Sequence, residues 1–396
     1  MVTQTKVDAI QVQLRQNGID ALILCLSHNI LAFLGYWTGG HAAKAVIPAE
    51  GKPALIIPAS ELCNAEGNDP SVVRILTYDF EHPTSTKSHM DFFFEIVRDV
   101  IPNAEQFTGT IGIEESFEDG SSANFCGEFK YPSLPTFNAI RAFFAKANVK
   151  DATGLITEMK FVKAPEELPR IRTAIDLVCA GLKVVRQRVR PGMTEAEVGA
   201  ILESEVMING TGKGGVRFSR CFASVYTGAR SAEQNAYWAA TSGRVVREGD
   251  VIILEIGSVS DGYWCDLTRC ICVGKPDETL TKRYDAVKRA RQAGLASIRE
   301  GALFSDVPKA CFASYESEGY GPQDYRHAVG HGSGYNYHEG PGLHVANQKP
   351  MKRGTVLCLE PGLYFPGQYG LRIEDMVVVT ETGYELLSHC GRELTT

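Results

Sequence analysis

Five residues in the last third of the chain are of the types that hold divalent cations: Glu255, Asp266, His331, Glu360 and Glu374. Four hard carboxylates and one imidazole suit Mn, Fe, Co or Zn. One or two such ions activate a water for attack on a carbonyl. Each of the five lies on or beside an apolar run. The run 251–257 is apolar except for Glu255, and an unpaired carboxylate buried there needs a cation, a proton or strong donors. After a turn at Asp261-Gly262, the run 263–269 puts Trp264, Asp266 and Thr268 on one face of a strand. A hairpin would bring Glu255 to Asp266. The strand 355–359 ends at Glu360-Pro361-Gly362, and in 371–377 Arg372 and Glu374 face one way.

Four of the nine histidines fall between 327 and 344. His331 is flanked by Gly330 and Gly332, and glycine lets a backbone approach a ligand closely. Two other features resemble sites and are set aside. The stretch 210–215 is glycine-rich but lacks the spacing and the Lys-Ser/Thr ending of a phosphate loop. Cys270 and Cys272 alternate with apolar residues, as buried strand cysteines do.

The elements that must position these groups can be read from periodicity. Residues 7–26 read as an amphipathic helix and then a strand over 21–26. A turn is expected at 27–29, strands at 44–48 and 53–58, and helices near 91–101 and 137–147. The polar segment 148–165 reads as a domain junction. From Pro165 the apolar positions Leu168, Ile171, Ile175, Val178, Leu182 and Val185 recur at helical spacing. Pro191-Gly192 ends that helix, and Thr194 with Glu197 is a capping box for the next. Gly192 precedes Val198 by the same interval at which Gly301 precedes Val307, a weak internal repeat.

Composition narrows the class. The chain has 396 residues, 44% of them hydrophobic, which suits two globular domains with ample cores. A net charge of −7 without a basic stripe argues against nucleic acid. No apolar run reaches the roughly 18 residues of a membrane helix. The eleven cysteines are irregularly spaced and no export signal is seen. The thiols are therefore expected to be reduced and the protein cytoplasmic.

These segments together resemble the pita-bread metallohydrolases: methionine aminopeptidase, aminopeptidase P, prolidase and their creatinase-like relatives. The family pattern has two aspartates with ten residues between them, Gly-His-Gly, Glu-Pro-Gly and Arg-x-Glu-Asp. It falls here on Glu255, Asp266, His331, Glu360 and Glu374. His327 and His338 resemble the family's substrate-side imidazoles. The stretch from Gly18 to Tyr36 resembles the small domain of the prolidase branch, and 163–167 its domain junction. The resemblance implies an α+β chain. A smaller α/β creatinase/prolidase-type domain spans 1–157, and a pita-bread domain with a pseudo-twofold repeat spans 158–396. It also implies hydrolysis of C–N bonds in a small-molecule or short-peptide substrate, the Xaa-Pro type foremost, and a homodimer.

In that reading Glu255, Asp266, His331, Glu360 and Glu374 hold one or two ions of Mn, Zn, Fe or Co. Glu360 shuttles the proton, while His338 and His327 steady the oxyanion and the leaving group. Arg372, Asn235 and Tyr263 are assigned to the substrate side. Two positions depart from the family. Glu255 stands where the first aspartate is expected, and its extra methylene shifts the carboxylate by about one bond length, which bidentate ligation tolerates poorly. Asn235 falls where family peptidases carry a histidine, and an amide does not titrate. Metal-dependent hydrolysis is the reading taken. A metal-free, creatinase-like hydrolysis with Glu255 as base or nucleophile stands second, and a non-catalytic binding protein third.

Overall fold

The computed structural model describes residues 2–37, 43–65, 67–79, 86–116, 134–233 and 241–395. They form two compact units that divide between Lys160 and Phe161.

The first unit contains α1 (Gln4–Gln16), β1 (Ala21–Leu24), α2 (Ser27–Leu34), β2 (Lys44–Pro48), β3 (Ala54–Pro58), α3 (Leu62–Ala65) and β4 (Arg74–Tyr78). It continues with α4 (His89–Ile96), β5 (Thr110–Ile113), α5 (Leu134–Phe143), β6 (Asn148–Asp151) and α6 (Thr153–Lys160). The six strands form one mixed sheet in the order β4-β3-β2-β1-β5-β6. Ile23, Val46, Ile56 and Ile111 pack beneath Phe93, Phe137 and Phe144.

One expectation is corrected here and one is refined. Residues 27–29 open α2 and do not turn. Every residue of that helix is buried, and Gly35 closes it in the left-handed conformation at φ 67°. Its first turn, Ser27, His28 and Asn29, has the composition of a loop although it is buried in the helix. The junction expected over 148–165 contains the division at 160/161, and β6 and α6 occupy its first part. β6 is a half-exposed edge strand, so its sequence is polar.

The second unit begins with α7 (Leu168–Arg188) and α8 (Glu195–Gly210), followed by β7 (Ser219–Thr227), β8 (Val251–Ser260) and β9 (Tyr263–Cys272). A second helix pair follows, α9 (Glu278–Ala296) and α10 (Asp306–Glu316). Then come β10 (Gly330–Gly332), β11 (Val356–Leu359), β12 (Gly362–Phe365), β13 (Tyr369–Arg372), β14 (Asp375–Val379) and β15 (Tyr384–Leu386). Helix pair and strands thus occur twice, a pseudo-repeat. Gly192 and Gly301 turn into α8 and α10 at φ 95° and 79°, and Val198 and Val307 are both buried near the start of their helices. The capping box of Thr194 and Glu197 forms as expected. β7-β8-β9 make one antiparallel sheet and β10-β11-β14-β15 another. Leu357, Leu359, Val377 and Ile253 share a core with α9 and α10.

Cys179 on α7 is disulfide-bonded to Cys390, which corrects the expectation that every thiol is reduced. Eight further cysteines are free among the described residues. No helix among them is long and apolar enough to cross a membrane.

Candidate active site

β8 and β9 form a tight hairpin because Asp261 and Gly262 both adopt positive φ, 46° and 85°, the two-residue turn that matches strand twist. Its register sets Glu255 opposite Thr268 and Gly257 opposite Asp266. Glu255 and Asp266 are therefore diagonal neighbours on one face. In the second sheet His331 lies opposite Cys358, and Cys358 opposite Met376. Side chains two apart along a strand share a face, so Glu360 follows Cys358 and Glu374 precedes Met376 on that side. The glycines around His331 are required by packing. A Cβ at Gly330 would collide with the Cys358 carbonyl, and one at Gly332 with the Gly340 carbonyl.

The two faces meet. Ligand atoms of Asp266, His331, Cys358 and Glu374 all lie within 4.8 Å of one another. Glu360 Oε1 stands 3.6 Å from His331 Nε2, and Asp266 Oδ2 stands 3.4 Å from it. His331 Nδ1 bonds the Gly332 carbonyl at 2.9 Å, which fixes the proton on that nitrogen and turns the Nε2 lone pair inward. Both oxygens of Asp266, Nε2 of His331 and Oε1 of Glu374 are buried without a hydrogen-bond partner. Groups of these types left unpaired inside a protein are costly. Their convergence fits a divalent cation, whose ligands they would be.

Electrostatics point the same way. Burial, Glu374 and Glu360 push the Asp266 carboxyl well above the usual carboxylate range. Burial and Glu374 do the same to Glu360. Burial lowers His331 and His327, so both imidazoles are neutral. A cation would relieve the acids and leave the neutral His331 as its ligand.

Glu255 lies apart from this cluster. Its carboxylate is in contact with the Arg372 guanidinium and accepts from the Tyr337 hydroxyl and from Thr268 Oγ1, the last at 2.9 Å. Thr268 Oγ1 also lies 2.8 Å from Glu374 Oε2 and accepts from Arg372 Nε at 2.9 Å. One hydroxyl has a single proton and serves only one of the two acids at a time. Glu255 retains Arg372 and Tyr337, whereas Glu374 has only a shared donor. The sequence reading placed Glu255 among the ligands. Here it stands beside Arg372 of β13 and is linked to Glu374 through the Thr268 hydroxyl.

His338 Nε2 is 3.3 Å from Asp266 Oδ2, and its ring stacks on Tyr337 and lies against His331, centroids 4.3 and 4.0 Å apart. His327 is held at both nitrogens, by the Ala328 carbonyl at 2.6 Å and the Tyr364 hydroxyl at 2.7 Å, with Glu360 Oε2 at 3.8 Å. Arg372 Nη1 reaches to 3.4 Å from Glu360 Oε2.

Tyr263 does not join the site. It sits on the strand face opposite Asp266 and donates to Glu167 at 3.3 Å, beside Tyr335, whose hydroxyl reaches Glu167 at 2.6 Å. Asn235 lies outside the described residues. Tyr337, Tyr364 and Cys358 were missed as site residues. For Cys358 a signal existed: it precedes Glu360 by two positions on a strand, so it shares that residue's face.

Comparison with known proteins gives this arrangement its class. Residues 169–381 match metallopeptidase family M24, and residues 6–162 match the creatinase/prolidase N-terminal domain. The chain belongs to metallopeptidase family M24, hydrolases of C–N bonds that work with divalent metal. It is 29% identical to a Xaa-Pro dipeptidase of Pyrococcus furiosus, over 65% of this chain and 73% of that one. It is 32% identical to a probable dipeptidase of Mycobacterium tuberculosis over 61% and 62% of the two chains. Among solved structures, an X-Pro aminopeptidase from Thermotoga maritima superposes with a TM-score of 0.78 at 26% identity, covering 97% of this chain and all of the other.

Proposed function

We propose that the chain hydrolyses the C–N bond of short Xaa-Pro peptides with a single divalent ion held by Asp266, His331 and Glu374. The observation that carries this reading is the set of buried, unpartnered ligand atoms on those three residues. Zn, Fe, Co and Mn all suit the donors. The names of the relatives support the substrate class. When bound, the ion polarises the scissile carbonyl and acidifies a water.

The chain's own residues do the rest. Glu360, whose proton affinity is raised by burial and Glu374, takes a proton from the attacking water and returns it to the leaving nitrogen. His338, beside Asp266, donates to the oxygen on which charge develops. His327, fixed by the Ala328 carbonyl and the Tyr364 hydroxyl, stands on the leaving-group side. Arg372 spans Glu255 and Glu360 and keeps both carboxylates oriented. Asn235 remains a proposed substrate contact.

One observation favours a second reading, metal-free hydrolysis of a small non-peptide C–N substrate. Arg372 fixes the Glu255 carboxylate without a metal, and a carboxylate so oriented can act as a nucleophile. Elemental analysis after growth in metal-supplemented medium decides, combined with a screen of Xaa-Pro peptides against cyclic and guanidino compounds. About one ion per chain and chelator-sensitive cleavage of Xaa-Pro peptides are expected. Absence of bound metal with activity surviving chelation transfers the assignment to the second reading. We further propose a cytoplasmic homodimer; light scattering that returns a monomer contradicts the dimer.

A further inference from the structure

The floor of the proposed metal centre is built of sulfur. Cys358 lies opposite both His331 and Met376 in the β10-β11-β14 register. It is fully buried and free. Its Sγ belongs to the same 4.8 Å cluster as the ligand atoms of Asp266, His331 and Glu374. The neighbouring sulfur, Met376 Sδ, is already engaged by the Asp266 backbone N–H at 3.4 Å. Glu255 is held by Arg372, and Glu360 lies toward Arg372 and His327. Glu255 is thus drawn toward Arg372, while Glu360 turns Oε2 to Arg372 and His327 and keeps Oε1 3.6 Å from His331 Nε2.

We propose that Cys358 is a direct metal ligand, completing a site of two carboxylates, one imidazole and one thiolate. The inference rests on the metal-dependent reading above. Ligation exchanges the thiol S–H bond for a sulfur–metal bond, and the proton leaves to solvent. Four protein donors leave a fifth position for water or substrate, a coordination number that zinc reaches in catalysis. Glu360 is then free to move protons and is not spent as a ligand. A thiolate also sets the choice of ion. Sulfur favours zinc and disfavours manganese, which prefers all-oxygen surroundings. The site therefore differs from a carboxylate-and-imidazole centre in its preferred metal as well as in its ion count.

X-ray absorption at the zinc edge of the loaded, unmutated protein is the primary test. One sulfur scatterer at about 2.3 Å is expected beside the nitrogen and oxygen shell. The cobalt-loaded protein is expected to show a near-ultraviolet sulfur-to-cobalt charge-transfer band. Cys358→Ser removes that band and lowers zinc affinity on the order of 10- to 100-fold, with a smaller loss for manganese. Met376→Leu keeps the band. About one bound zinc per chain without a sulfur scatterer overturns the role of Cys358 and leaves the metal-dependent reading standing. A protein that binds no ion at all overturns both. The absorption measurement needs no variant, so a misfolded Cys358→Ser does not blunt it.

Discussion

Glu374 and Asp375 are consecutive residues at the start of one strand, both fully buried, and their surroundings are opposite in kind. Asp375 is saturated. Arg269 and Arg392 reach Oδ1 at 2.8 and 2.6 Å, Ser388 donates to the same oxygen at 2.6 Å, and Arg392 Nε and Arg291 hold Oδ2. Burial alone would raise its pKa, but the three guanidinium groups hold it well below the usual carboxylate range. Glu374 faces Asp266 and Glu360 across the other side of the strand, with one shared hydroxyl and an unpartnered oxygen. A buried acid that a protein keeps for structure is surrounded by its counter-charges. A buried acid left short of them is waiting for a charge the chain does not supply. The alternation of the strand lets two neighbours in sequence belong to the two classes.

The contrast breaks most visibly by mutation at the open side. Asp266→Asn removes a ligand and is expected to cut turnover of Xaa-Pro peptides by about a thousandfold. Metal catalysis contributes several kcal/mol, and each 1.36 kcal/mol is a factor of ten. The same change relieves repulsion among the acids, so the metal-free variant should be at least as stable as the unmutated protein. It should lose the metal-dependent gain, about 2.7 kcal/mol at a hundredfold excess over Kd. Melting with and without metal reads both. A metal-free variant clearly less stable than its parent would mean that Asp266 is already paired, as Asp375 is.

On the closed side, Asp375→Asn leaves three arginines around a neutral amide. Breaking a buried ion pair by removing one partner costs about 3–5 kcal/mol, and chemical denaturation should show that loss with metal and without it. Indifference to the substitution would erase the distinction between the two acids.

The share of this that sequence reveals follows from what strand periodicity encodes. The single strand read over 371–377 divides between β13 and β14, which lie in different sheets. Alternation placed Asp266 with Thr268, the Asp-Gly turn implied the hairpin, and the glycines beside His331 marked a close backbone approach. Those are local properties, and the structure keeps them. Cross-strand register is not local. That Cys358 faces His331, or that Tyr337 reaches Glu255, depends on pairings between segments far apart in the chain. The same holds for the bond between Cys179 and Cys390, whose partners are separated by 211 positions. α2 is hidden because its first turn, Ser27 to Asn29, has turn composition, and β6 because an edge strand has the composition of a linker.

Glu255 tests the boundary between the two kinds of acid most finely, since it lies in the open pocket yet has closed-side partners. Glu255→Asp withdraws the carboxylate from Arg372 by about one bond length and restores the length found at this place in two-metal relatives. If the arginine contact is what excludes a second ion, the shorter acid should raise bound metal from about one to about two ions per chain at saturation. Without metal, stability should fall by about 1–3 kcal/mol, because the shorter acid withdraws from Arg372, Thr268 and Tyr337 alike. Equilibrium dialysis followed by elemental analysis gives the stoichiometry directly. A ratio that stays at one shows that Arg372 holds the cation's place whatever the length of its partner, and the residue to change is then the arginine, as Arg372→Gln.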